Sequence, residues 1–165
     1  MTIDMWPADS ISPRVRVIVD NDFAGDPDGL FQLAHQVLSP ASVVTQILAT
    51  PHAPFLNEVP DLCAEAERIA FETLELCGRT EIPIFRGTDA KMLDRKTPIE
   101  TPAVRAIIDE AMRSDTDLPL FLTAGAGLSA IASAWLIEPR IAEKLTLIWI
   151  GGHEHRARHS ARRTR

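Results

Sequence analysis

The chain has 165 residues, 45% of them hydrophobic, which is enough for one sizeable core and argues for a single soluble domain rather than two, and against a disordered polymer. The formal net charge is −6, but the five arginines of Arg156–Arg165 mask a body, Met1 to His155, that carries −11. An acidic body excludes nucleic acid as the expected partner, the basic tail reading as a solvated end. No run approaches the roughly 20 apolar residues of a membrane span, and the start, Met1-Thr2-Ile3-Asp4-Met5-Trp6-Pro7, lacks the basic and apolar regions of a signal peptide, so a cytoplasmic location without membrane contact is expected.

In chain order, a flexible N-terminus (residues 1–13) precedes Arg14 to Asp20, which alternates and then runs apolar into a carboxylate, as a strand entering a buried sheet does. Asp28 to Leu38 places Leu30, Phe31, Ala34, Val37 and Leu38 at helical spacing and stops at Ser39-Pro40. Val43 to Ala49 is β-branched and apolar and ends at the proline-rich loop Pro51-His52-Ala53-Pro54. Asp61 to Cys77 follows an amphipathic helix with Leu62, Ala66, Ile69, Ala70, Thr73, Leu76 and Cys77 on its apolar side and Gly78 at its end.

The second half of the body repeats the alternation. Ile82-Pro83-Ile84-Phe85 is a short strand, Pro102 to Met112 a helix begun by a Thr-Pro pair, and Leu118 to Thr123 a buried strand running into Ala124-Gly125-Ala126-Gly127. Leu128 to Ile137 is a helix stopped by Glu138-Pro139, and Leu145 to Ile150 is a final strand ending in Gly151-Gly152. Strands alternating with helices predict an α/β fold with a mostly parallel open sheet and helices on both faces. The domain is expected over residues 14–155, and the basic tail, residues 156–165, is expected to be disordered because it has almost nothing apolar to bury.

Cys63 and Cys77 lie 14 residues apart in one helix, too far to bridge and without the paired spacing of a zinc or redox site, so both read as small core residues. Trp135 and Trp149 also read most simply as core. His35 and His52 read as ordinary polar residues, and His153 and His155 as incidental metal binders at most.

Chemistry concentrates in Asp20-Asn21-Asp22-Phe23-Ala24-Gly25-Asp26-Pro27-Asp28, four carboxylates in nine residues at the C-terminal end of the first strand, where open α/β sheets place ligands. Two readings fit the residues. One is a solvated acidic turn with Asp28 capping the following helix. The other is a site for a hard divalent cation, which offsets the mutual repulsion of carboxylates that suit calcium or magnesium. Anchoring to a buried strand favours the cation.

The same segment resembles the N-terminal motif of the inosine-uridine nucleoside hydrolases, Asp-x-Asp-Pro-Gly-x-Asp-Asp after an apolar strand. Three later blocks are similar to that family in the same order: Ile82 to Asp89, Gly127 to Ala132, and Glu138-Pro139-Arg140-Ile141 followed by Ile150-Gly151-Gly152. The likeness covers about Arg14 to His155 and implies a nucleoside hydrolase-like fold with a Rossmann-like core, a nucleoside substrate and Ca2+ as cofactor.

Residue by residue, the resemblance makes Asp22 a calcium ligand and the general base on the attacking water, and Asp26 a holder of the ribose hydroxyls. Pro27 stands where the family has its second terminal Asp, so Asp28, one residue later, is the implied calcium ligand. Ser129 falls where the family offers a main-chain carbonyl to calcium. The family's Asn after the second strand has no match, since Thr50-Pro51-His52-Ala53-Pro54 occupies that loop.

The family's remaining calcium Asp, its leaving-group His and its ribose-gripping Asn and Glu lie beyond the Gly-Gly block, with no counterpart in Arg156–Arg165. The expectation is therefore a truncated hydrolase of little activity, with an exposed sheet edge that favours a homo-oligomer. Two alternatives stand beside it. Asp20-x-Asp22 after an apolar strand also resembles the haloacid-dehalogenase phosphohydrolases, although Phe23-Ala24 does not supply the Thr or Val expected there. A non-enzymatic, truncated product is the other.

Overall fold

The computed structural model describes residues 11–25, 27–50, 61–88 and 90–151. Asp26, His52, His153, His155 and the basic tail lie outside the described residues, so the expectations attached to them are not addressed by the structure. Strands β1 (Val15–Asn21), β2 (Ser42–Ala49), β3 (Ile84–Arg86), β4 (Leu120–Ala124) and β5 (Leu145–Trp149) alternate with helices α1 (Asp28–Leu38), α2 (Leu62–Cys77), α3 (Pro102–Ala111) and α4 (Ser129–Ile137). A 3-10 turn, Pro139–Glu143, links α4 to β5.

All five described strands are parallel, in the order β3-β2-β1-β4-β5, which puts the first of them, β1, at the centre of the sheet. Because successive side chains of a strand point to opposite faces, β1 feeds two cores. Val17 and Val19 pack with Leu33, Val37, Ala66, Ala70 and Leu74 of α1 and α2. Ile18 packs with Val104, Ile107, Ala130, Ile131 and Ala134 of α3 and α4. Parallel strands covered on both faces need continuous apolar runs, which is why β1 and the end of β2 show so little alternation.

The helices end where local chemistry dictates. Asp61 caps α2 by accepting from the Ala64 N–H at 3.0 Å, and Gly78, at φ 66, closes it in the left-handed conformation. Thr101 caps α3 by accepting from the Val104 N–H at 3.2 Å, with Pro102 at the first helical position. At the other end of α3, Glu110 reaches back to β1, where it pairs with Arg16 at 2.5 Å, both residues being buried. Arg16 also donates to the Glu110 and Leu118 carbonyls at 3.0 Å, so the buried charge is hydrogen-bonded as well as neutralised.

Burial corrects several expectations about the core. In α1 the buried residues are Gly29, Leu33 and Val37, whereas Phe31 is 77% and Leu38 61% exposed. In α2 they are Cys63, Ala66, Ala70 and Leu74, with Leu76 at the surface and Cys77 half-buried. The apolar stripe of each helix is wider than the face that packs, and its flank stays in water. Trp135 and Trp149 are exposed rather than core, 52% and 41%, because no described element covers that side of α4 or β5. Of the two cysteines only Cys63 is fully buried. Among the described residues no helix is long and apolar enough to cross a membrane.

Candidate functional site

The order of the strands creates a crevice. From β1 the chain turns to one face through α1, and from its neighbour β4 it turns to the opposite face through α4, so the loops leaving these two strands part above the sheet. Ligands of open α/β sheets bind at such a switch point. The acidic segment sits there, at the C-terminal end of β1, with the N-termini of α1 and α4 on either side.

Asp20, the last but one residue of β1, is fully buried. Its Oδ1 accepts from the Thr50 hydroxyl at the end of β2, and its Oδ2 has no hydrogen-bond partner. Burial raises its pKa from the ordinary 3.8 to about 7, against the Thr50 bond, which lowers it, and with the charge of Asp22 adding to the rise. An orphaned, buried carboxylate oxygen is costly unless a proton or a cation satisfies it.

Asp22 follows β1 in a tight turn, where the Gly25 N–H donates to its carbonyl at 2.6 Å. The loop wraps so closely that a Cβ on Gly25 would stand 2.7 Å from Asp22 Oδ2. Glycine lets the backbone lie against the carboxylate without displacing it. Asp28 opens α1 and is exposed; Pro27 occupies the cap position, so the expectation that Asp28 caps the helix is corrected, and its charge instead stands in the first turn, where the helix dipole favours it. Ser129 opens α4 just beyond the turn that follows β4 and is half-buried.

A cavity of about 270 Å³ opens beside these residues, lined by Asn21, Asp28, Gln32, Thr123 and Ile148 among others. The fold thus brings Asp22 and Asp28 to one end of the sheet, with the Ser129 turn across the crevice. Among the described residues no three His, Cys, Asp or Glu side chains converge as a metal cluster.

Asn21 and Gln32 are residues that sequence reasoning missed. Asn21 is fully buried, its Nδ2 donates to Gln32 Oε1 at 2.5 Å, and its Oδ1 accepts from the Asp22 N–H at 2.8 Å. A polar pair eleven residues apart in a strand end and a helix has no period that would expose it. The glycines at 29 and 125 were the available signal, since a glycine can mark the close approach of another group.

No sequence-family model matches the chain, and no curated relative does. Solved structures do. The purine-preferring ribonucleoside hydrolase from Gardnerella vaginalis superposes with a TM-score of 0.62 at 22% identity, over 84% of this chain and 49% of that one. The inosine-uridine preferring nucleoside hydrolase from Bacillus anthracis gives 0.53 at 16% identity, over 84% of this chain and 51% of that one. This chain therefore spans about half the length of either structure, and over that span it shares their fold.

Proposed function

We propose that this chain, built on the fold of the nucleoside hydrolases, carries the water-activating half of such an active site and serves the hydrolysis of the N-glycosidic bond of ribonucleosides. The observation that supports this reading most is the acidic loop at the switch point, where a buried carboxylate with an orphaned oxygen, Asp20, stands two residues from a glycine-wrapped one, Asp22.

The donor set suits calcium. Carboxylate and carbonyl oxygens are its preferred ligands, and Asp22, Asp28 and the Ser129 carbonyl are the groups that would hold it. When bound, calcium lowers the pKa of a water and gives the sugar hydroxyls a fixed anchor. The protein's own part is to place Asp22 so that its carboxylate takes the proton of the attacking water, and Asp26 so that it holds the ribose hydroxyls. Cleavage of a ribosyl bond passes through an oxocarbenium-like state, for which an activated water on one face of the sugar is half of the requirement. The other half is assistance to the departing base, worth about 10²–10⁴ in rate.

Calcium takes 6–8 oxygens, and three protein groups leave most of that shell to water. The chain alone is expected to bind calcium but to hydrolyse inosine and uridine weakly. Calorimetric titration of calcium into the wild type and Asp22→Ala tests the first point: affinity that is equal in the two would move the metal elsewhere. Turnover of both nucleosides with added calcium tests the second. Vigorous hydrolysis, abolished by Asp22→Ala, would show that this chain needs no other source of leaving-group assistance.

A further inference from the structure

Asn21 stands at the junction of the three segments that carry the proposed ligands. It is joined to Asp22 through its own carbonyl oxygen, Oδ1, which accepts the Asp22 N–H, and to α1 through the bond from Nδ2 to Gln32 Oε1. Its backbone carbonyl accepts the Thr50 N–H at 3.2 Å, which ties β1 to the end of β2. The space around it is equally specific. A Cβ on Gly29, beside Asp28 in α1, would lie 3.0 Å from Asn21 Cγ. A Cβ on Gly125, in the turn between β4 and Ser129, would overlap the Asn21 amide outright. Side chains are therefore absent from α1 and from the turn after β4 at the points where the amide passes between them.

An amide is the group this position needs. It accepts from Asp22 and donates to Gln32 at once, which neither a hydroxyl of shorter reach nor an apolar side chain of the same size does. A fully buried amide with both functions satisfied holds one geometry, because losing either bond strands a polar atom away from water.

We propose that Asn21 is the positioning residue of the site: with Gln32 and the glycines at 29 in α1 and 125 after β4, it sets Asp22, the start of α1 with Asp28, and the turn before Ser129 in their mutual arrangement. This inference rests on the calcium reading above. It assigns Asn21 no contact with substrate or metal, and it acts through the ligands, as partners behind a metal's ligands do at a cost of about 10–100-fold in affinity when removed.

The test uses the full chain, with calcium as the probe, and two substitutions that reach Asn21 from different elements. Gln32→Leu removes the acceptor from the α1 side, and Gly125→Ala pushes on the amide from the β4 side. Each is expected to weaken calcium binding about 10-fold or more while circular dichroism shows the fold retained. The double variant is expected to bind no more weakly than the worse single one, because both act through the same amide. Gln32→Glu, which keeps an acceptor oxygen at the same reach, is expected to bind at least as well as wild type. Calcium affinities unchanged in both folded single variants, or losses that add in full, would overturn the proposal.

Amide hydrogen exchange of the metal-free protein separates this inference from the reading it rests on. The Asp22 N–H is expected to exchange at least about tenfold faster in Gln32→Leu than in wild type, because the freed Asn21 no longer holds it. A wild type that binds no calcium overturns the hydrolase reading, and Asn21 is then judged by that exchange alone. Equal Asp22 exchange in the two proteins rejects the positioning role.

Discussion

Among the described residues Asp20 is the one whose chemistry departs furthest from its ordinary state, and the departure sets a pH dependence. In the unfolded chain it titrates near 3.8, in the folded protein near 7. Below pH 4 it is neutral in both states. Between pH 4 and 7 the folded protein keeps a proton that the unfolded chain has released, so stability falls as pH rises, and above pH 7 the full cost, at most ~4 kcal/mol, is in place. Without calcium, Asp20→Asn is therefore expected to gain several degrees in thermal midpoint over wild type at pH 8 and little at pH 5. Parallel midpoint profiles for the two proteins across that range would show that Asp20 ionises freely in the fold. The acidic segment itself was legible in the sequence, because four carboxylates behind an apolar run are conspicuous. Its supports were not. Asn21, Gln32 and the Arg16–Glu110 pair are single polar residues whose meaning comes from partners 11 and 94 residues away, and only the folded sheet brings these together.

At the scale of elements the caps made the helices readable. A Thr-Pro pair marks the start of α3, and Thr101 does cap it through the Val104 N–H. Thr101→Ala is expected to cost about 1 kcal/mol in denaturant unfolding, and a midpoint equal to wild type would mean that Pro102 alone fixes the helix start. The sequence pattern sets the bounds of β1, β3 and β4 one or two residues early, as at Ile82–Phe85, where the ladder spans Ile84–Arg86. Hydrophobicity reports which residues favour burial, and pairing decides where the ladder begins. The same distinction explains Phe31, Leu38 and Leu76. Each lies within an apolar stripe, yet the packed face of its helix is made by other residues, Gly29, Leu33 and Val37 in α1 and Cys63, Ala66, Ala70 and Leu74 in α2. No periodicity separates the covered part of a stripe from its uncovered flank.

For the whole molecule the parallel α/β architecture followed from the alternation of elements, and the sheet order places the acidic loop at its switch point. Among the described residues the order also leaves β5 paired on one side, with Leu147, Ile148 and Trp149 all 40% or more exposed. An apolar edge strand of this kind is a template for another chain. The weight-average mass of the wild type in sedimentation is expected to rise with concentration, and Leu147→Lys to suppress that rise; a wild type that stays monomeric would show that the edge is protected. The central place of β1 has a consequence in time. Arg16 meets Leu118, 102 residues later, so during synthesis at about 5–20 residues per second one whole side of β1 waits on the order of 5–20 s before its neighbour exists. Among the described strands, the one in the middle of the sheet is made before the other four and stands longest without its second partner.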